Sequence, residues 1–244
     1  MSYRNYTSNG GMQKSNQTAA VQASQTRSIL RNVYIWMTGG LALTGIIALF
    51  VSKSPGILRA LTANRFTFFM IIIAELALVL LLSARIMKMR PGTATLGFIA
   101  YAALNGLTLS VIFLAYTGVT IATAFFVTAG TFAGMSIYGS FTKRDLSRIG
   151  TYLVMALIGI IIASVVNIFF RSSGLYYAIS YIGVIIFLGL TAWDTQIIKR
   201  WSSEYGGSVS EDMYVKLSIL GALKLYLDFI NLFLFFLRIF GRRG

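Results

Sequence analysis

The run KLYLDFINLFLFF at 224–236 sets an acid, Asp228, four residues after a base, Lys224, inside an almost unbroken apolar stretch. Asp194 is placed the same way in GLTAWDTQ at 189–196, and Glu75 opens the apolar run ELALVLLL at 75–82. The 244 residues include only seven acids, and each ionised carboxylate near the centre of a membrane helix costs roughly 2.5–3.5 kcal/mol on insertion scales. Such costs are hard to explain as packing, so each of these residues is a functional candidate with a partner to be named. Two carboxylates close together in a low dielectric cannot both ionise easily, and the pair shares a proton. Asp194 and Asp228 would then form a titrating switch in a chain with no histidine. Their oxygens, with the amides and hydroxyls of Asn105, Thr108, Thr191 and Asn231, are hard ligands. Calcium takes 6–8 such oxygens in irregular geometry, whereas magnesium sheds its waters reluctantly. No EF-hand loop occurs, so a weak, transient calcium site at Asp194 and Asp228 is expected. Protons and the cation would compete there, making any flux depend on pH. The chemistry supports a cation pathway and leaves calcium, sodium and protons open as cargo.

Simpler roles exist for some of these residues. Lys224 and Asp228 share a helix face and could neutralise each other. Glu75 could bond Asn105 or Asn167 and hold helices together. Asp194 has no compensating charge within a helical turn and resists such an account. Glu75, Lys224, Asn105 and Asn231 are the candidates to line a pathway beside the aspartate pair.

Other chemistries fit poorly. Two aspartates on the last two spans invite an intramembrane aspartyl protease, but Asp228 follows KLYL rather than Gly-x-Gly, and no Pro-Ala-Leu occurs. GMSIYG at 134–139 is not a serine-nucleophile motif, and no histidine could serve as its base. A retinal pigment needs a counter-ion, typically on the third span, and residues 93–118 hold none. Cysteine is absent too, which removes disulfides, thiol chemistry and the usual zinc sets. The expectation is a protein that is not an enzyme and carries no cofactor.

The elements that must position these groups are membrane helices. With 57% hydrophobic and 11% charged residues, the chain lacks the polar surface of a soluble domain. At about 20 apolar residues per crossing, seven spans emerge: roughly 33–51, 66–84, 94–116, 120–140, 149–169, 175–197 and 217–240. Residues 1–26, rich in Ser, Asn, Gln and Thr, are expected as a disordered polar tail ahead of one transmembrane domain over 27–244. The net charge of +14 falls mainly at span ends, where it serves topology and anionic headgroups rather than nucleic acid. Basic residues such as Arg27, Arg31, Arg85, Lys143, Arg144 and Lys199 outnumber those on the opposite side, which predicts a cytoplasmic N-terminus. GTFAG at 130–134 is a Gly-x-x-x-Gly pair, expected at a close helix contact.

With these motifs the chain resembles the Bax inhibitor-1 (transmembrane Bax inhibitor motif) family, from about residue 27 onward. The resemblance rests on GLTAWDTQ at 189–196 and GALKLYLDFINLFLFFLRIFG at 221–241. ELALVLLLSARI at 75–86, YAALNGLTLSVIF at 101–113 and MSIYGSFTKRDLSRIG at 135–150 support it. It implies an all-α membrane protein in which two three-helix bundles wrap a central seventh helix. It further implies a pH-sensitive calcium leak channel whose sensor is a di-aspartyl pair, carried over to Asp194 and Asp228. A basic residue of the second span, Arg85 in SARI, would latch the closed state, with Glu75 lining the pathway. Rising pH would deprotonate the pair and bias the bundle towards opening. The family also includes members that bind other membrane proteins, among them a bacterial membrane protease, so a modulator of such a partner is the alternative function. The polar tail without an organelle signal points to a bacterial inner membrane.

Overall fold

The computed structural model describes the backbone of residues 6–205 and 210–241, with side chains from Ile29 onward except Arg65. Seven helices are long and apolar enough to cross a membrane, and the described residues contain no strand. The crossings are Ile29–Ser52, Phe66–Lys88, Pro91–Ala115, Gly118–Phe141, Ser147–Phe170, Ser173–Tyr205 and Glu211–Phe240. The helices are α1 (Tyr6–Ser52), α2 (Pro55–Ala63), α3 (Arg65–Arg85), α4 (Pro91–Leu109), α5 (Ile112–Ala115), α6 (Gly118–Phe141), α7 (Ser147–Phe170), α8 (Ser173–Tyr205) and α9 (Glu211–Phe240). In α1 the helical backbone starts at Tyr6, within the stretch expected as a disordered tail, and residues 1–5 lie outside the described residues. Residues 12–26 of that stretch contain neither Gly nor Pro, and their Gln and Ala favour helix. Helix α2 was not expected from hydropathy, because nine residues cannot span a bilayer. Pro55 starts it at the position where a missing N–H costs nothing.

Local chemistry fixes the helix ends. Asn64 caps α3 by accepting from Phe66 N at 2.9 Å, and Thr117 caps α6 through Thr120 N at 3.2 Å. Ser210 accepts from Met213 N at 3.4 Å, and Glu211 and Asp212 sit in the first turn of α9, where acids suit the helix dipole. Helix α7 ends on Arg171 in the left-handed conformation (φ 50°), while Asn167 Oδ1 accepts from Ser172 N at 3.0 Å. Asn167 is thus a terminator and not a partner of Glu75.

Helix α9 is the centre. Within its most apolar window 72% of residues are buried, against 11% for the second crossing and 6% for the fifth. It packs against α8, α1, α6 and α4. Its Tyr226 is fully buried, edge-on to Phe98 and Tyr101, with its hydroxyl 2.7 Å from Thr44 Oγ1. The outward faces of α3 and α7 are rows of exposed Ile, Leu, Val and Phe, suited to lipid.

Close approaches between helices occur at glycines other than the expected pair. A Cβ at Gly139 would lie 2.2 Å from the Ala192 carbonyl oxygen, and one at Gly150 would strike the Trp193 indole. Gly130 and Gly134 face open space. The GTFAG spacing was the expected contact, but the α6–α8 crossing falls nearly two turns later. Beyond α6, Gln196 of α8 ties down the following loop, donating to Arg144 O at 2.8 Å and accepting from Leu146 N at 2.9 Å. In that loop Asp145 accepts from Ser147 Oγ at 2.7 Å and Ser147 N at 3.0 Å. Those bonds, with Arg200 at 3.2 Å, hold its carboxyl below the usual range.

Candidate functional site: a lateral groove around two aspartates

A stripe of α9 residues at helical spacing, Leu220, Lys224, Asp228, Asn231, Phe235 and Arg238, lines one long groove. The opposite wall comes from α7, the floor from α8 through Leu190, Asp194 and Trp201, and Ser83 contributes from α3. The groove encloses about 810 Å³. From Leu220 to Arg238 it follows α9 for about 27 Å at 1.5 Å per residue, close to the roughly 30 Å of a hydrocarbon core. Glycines of α8 let neighbouring side chains pack close to it: a Cβ at Gly183 would meet the Phe235 ring at 2.6 Å, and one at Gly189 would meet Leu153.

Both aspartates are buried in this wall, Asp194 at 6% exposure and Asp228 at 4%. Lys224 Nζ donates to Asp194 Oδ1 at 3.0 Å, linking α9 to α8. The same ammonium lies 5.8 Å from the centroid of the Trp193 ring, within cation–π range. Asp228 sits one turn further along α9, and its Oδ2 is buried with no hydrogen-bond partner. No hydrogen bond joins the two carboxylates. Asn231 spends its amide N–H₂ on Leu227 O at 2.8 Å, in its own helix. Arg238 closes the far end, its guanidinium 5.7 Å from the Tyr176 ring centroid and 5.4 Å from that of Phe235.

The structure therefore brings Asp194, Lys224, Asp228 and Asn231 to one groove and leaves other expected residues elsewhere. Lys224 pairs with Asp194 across the helix interface and not with Asp228 on its own helix. Arg85 is exposed at the end of α3 and forms no ion pair with either aspartate. The cation bonded to Asp194 is Lys224, from α9. Glu75 also lies outside the groove. It accepts from Asn105 Nδ2 and, at 3.1 Å, from Thr108 Oγ1, joining α3 to α4. Helix bonding is the role this geometry gives Glu75 and Asn105. Among the described residues no three Asp or Glu side chains converge as a metal cage, so any cation site here is open and incomplete.

Sequence reasoning missed Trp193 and Arg238. Trp193 lines the same groove as Asp194, its ring lying where Gly150 of α7 leaves space. Arg238 lies at the end of the last crossing, where basic residues ordinarily serve topology. Its place ten residues after Asp228, near three helical turns, was the available signal.

Comparison with known proteins places this architecture. The family described as "Inhibitor of apoptosis-promoting Bax1" matches residues 26–244. The chain is 51% identical over 217 residues to the inner membrane protein YbhL of Escherichia coli K12, covering 89% of this chain and 92% of YbhL. It is 44% identical over 216 residues to a protein of Borreliella burgdorferi, covering 88% and 91%. A protein of Deinococcus radiodurans is 40% identical over 232 residues, covering 95% and 98%. With the aspartate motifs, the seven crossings and a match over nearly the whole chain, this multi-pass membrane protein belongs to the Bax inhibitor-1 family.

Proposed function

We propose that the protein is a pH-sensitive cation leak channel, with calcium as the transported ion and Asp194 and Asp228 as its gate. The observation that carries this reading is the orphaned Asp228 carboxylate oxygen, buried in a groove that also holds Asp194 and follows α9 for most of a bilayer's thickness. Buried polar atoms are normally satisfied, so an unpaired carboxylate oxygen at a groove wall is a group kept for a proton or a cation. In the closed form the pair holds a proton and Lys224 bonds Asp194. Raising the pH removes the proton, the carboxylates repel across the α8–α9 interface, and the population shifts towards an open arrangement. Flux therefore rises with pH. An inner-membrane location belongs to the same proposal and is supported by YbhL, named as an inner membrane protein, and the cytoplasmic N-terminus proposed with it rests on the excess of basic residues.

The test is calcium entry into liposomes holding the purified chain and a trapped dye, between about pH 5.5 and 8.5. Flux above that of empty vesicles, rising with pH and flattened by both Asp194→Asn and Asp228→Asn, is expected. A folded protein that passes no calcium at any pH overturns the leak. Capture of a membrane protease or other membrane protein, unaffected by either substitution, would then favour the modulator.

A further inference from the structure

We infer that the pocket between the α6–α7 loop and α8, lined by Lys143, Arg144, Lys199 and Arg200, binds a phosphate-bearing anion, the headgroup of an anionic phospholipid. The site stands apart from the leak reading, because neither aspartate of the groove lines it.

The pocket encloses about 280 Å³, and its four cations are set against one acid, Asp145, which leaves three positive charges uncancelled. Asp145 is already committed. Its Oδ1 accepts from Ser147 Oγ at 2.7 Å, Ser147 N at 3.0 Å and Arg200 at 3.2 Å, so it neutralises Arg200 alone. Lys199 donates to the Ser140 carbonyl, which ties α8 to the end of α6 and leaves the ammonium's charge in place. Lys143 and Arg144 are exposed and form no ion pair among the described residues. Like charges gathered in one concave pocket repel, and they draw an anion in among them. The Gln196 amide fixes the arrangement through Arg144 O and Leu146 N. Topology asks only for basic residues on one side of the membrane, not for a pocket held in shape.

The pocket's place selects a lipid as the source of the anion. Helix α6 ends at Phe141, which is 79% exposed, and Ile137 one turn earlier is exposed as well. Apolar helix surface therefore runs directly up to the cations. A phospholipid lying on that surface covers Phe141 and Ile137 with its chains and brings its phosphate to residues 142–145. Arginine can take two phosphate oxygens at once, lysine adds a point charge, and basic pockets between membrane helices suit such headgroups.

Lipid retention by the detergent-solubilised full chain, read by native mass spectrometry, tests the site with phosphatidylglycerol, phosphatidylcholine and glycerol 3-phosphate as probes. The parent should keep phosphatidylglycerol in preference to phosphatidylcholine. Lys143→Gln with Arg144→Gln should weaken that retention at least about tenfold, since each cation near an anionic surface contributes about fivefold. The charge-keeping swap, Lys143→Arg with Arg144→Lys, should bind like the parent. Lys53→Gln with Arg59→Gln removes the same charge from exposed positions at the opposite end of the bundle and should change nothing. Equal retention by the parent and the glutamine pair at 143 and 144 overturns the inference. So does equal retention of the two lipids, or a pair at 53 and 59 weakened by the same factor. Displacement of phosphatidylglycerol by equimolar glycerol 3-phosphate would overturn the lipid as the source and leave the anion pocket standing.

Discussion

Glu75 and Asp194 look alike in the sequence, each a lone acid in an apolar run, yet their surroundings divide their roles. Glu75 has both carboxylate oxygens occupied by donors from α4, Asn105 and Thr108. A side chain so satisfied is structural. Glu75→Ala leaves the Asn105 amide with only a long contact to the Tyr101 hydroxyl at 3.4 Å. It should cost about 1–3 kcal/mol, read as a lower unfolding midpoint in detergent, while the pH dependence of any flux stays that of the parent. An unchanged midpoint would remove the helix-bonding role. That Asp194 needed a partner from another helix was legible, because nothing within a turn of it could neutralise it, and the structure sets it in one groove with Asp228. The partner of Lys224 was not legible. Spacing of four residues allowed Asp228, and only the crossing of α8 and α9 brings Asp194 to the ammonium. Arg85 is exposed and forms no ion pair with either aspartate, since a motif fixes a residue's helix and depth but not its reach across a groove.

Among the elements, hydropathy located all seven crossings within a few residues, because twenty-residue apolar runs have no soluble alternative. It stopped α8 near residue 197, whereas the helix continues to Tyr205. The last two turns, KRWSSEY, are polar, yet they remain good helix formers that need no lipid around them. Contacts between helices were harder to foresee. Small-residue spacing marked Gly130 and Gly134, but the crossing uses Gly139 against Ala192, and nothing in a single helix says which of its small residues meets a neighbour. A methyl at Gly139 would push α6 off α8 and should cost about 1–3 kcal/mol. Gly130→Ala and Gly134→Ala should stay within about 0.5 kcal/mol of the parent. Unfolding midpoints for the three variants check this, and a destabilised Gly130→Ala with a neutral Gly139→Ala would refute it.

For the molecule as a whole, orientation is the property still to be measured, and the chain is convenient for it because it contains no cysteine. Ser173→Cys, exposed at the start of α8, and Asp212→Cys, exposed at the start of α9, lie at opposite ends of the bundle. The excess of basic residues predicts that a membrane-impermeant maleimide added outside intact cells labels Ser173→Cys and spares Asp212→Cys. The reverse pattern would invert the topology. The loop that Gln196 grips has a consequence at this scale. Gln196 shares a helical turn with Asp194, and its amide holds both Arg144 O and Leu146 N. A shift of α8 large enough to part Asp194 from Lys224 must drag that loop along or break both bonds. The exposed loop is thus a handle on a carboxyl buried between helices. If the proposed opening moves α8, an antibody fragment clamped on residues 142–146 should reduce the flux without entering the groove, and a fluorophore there should report the movement.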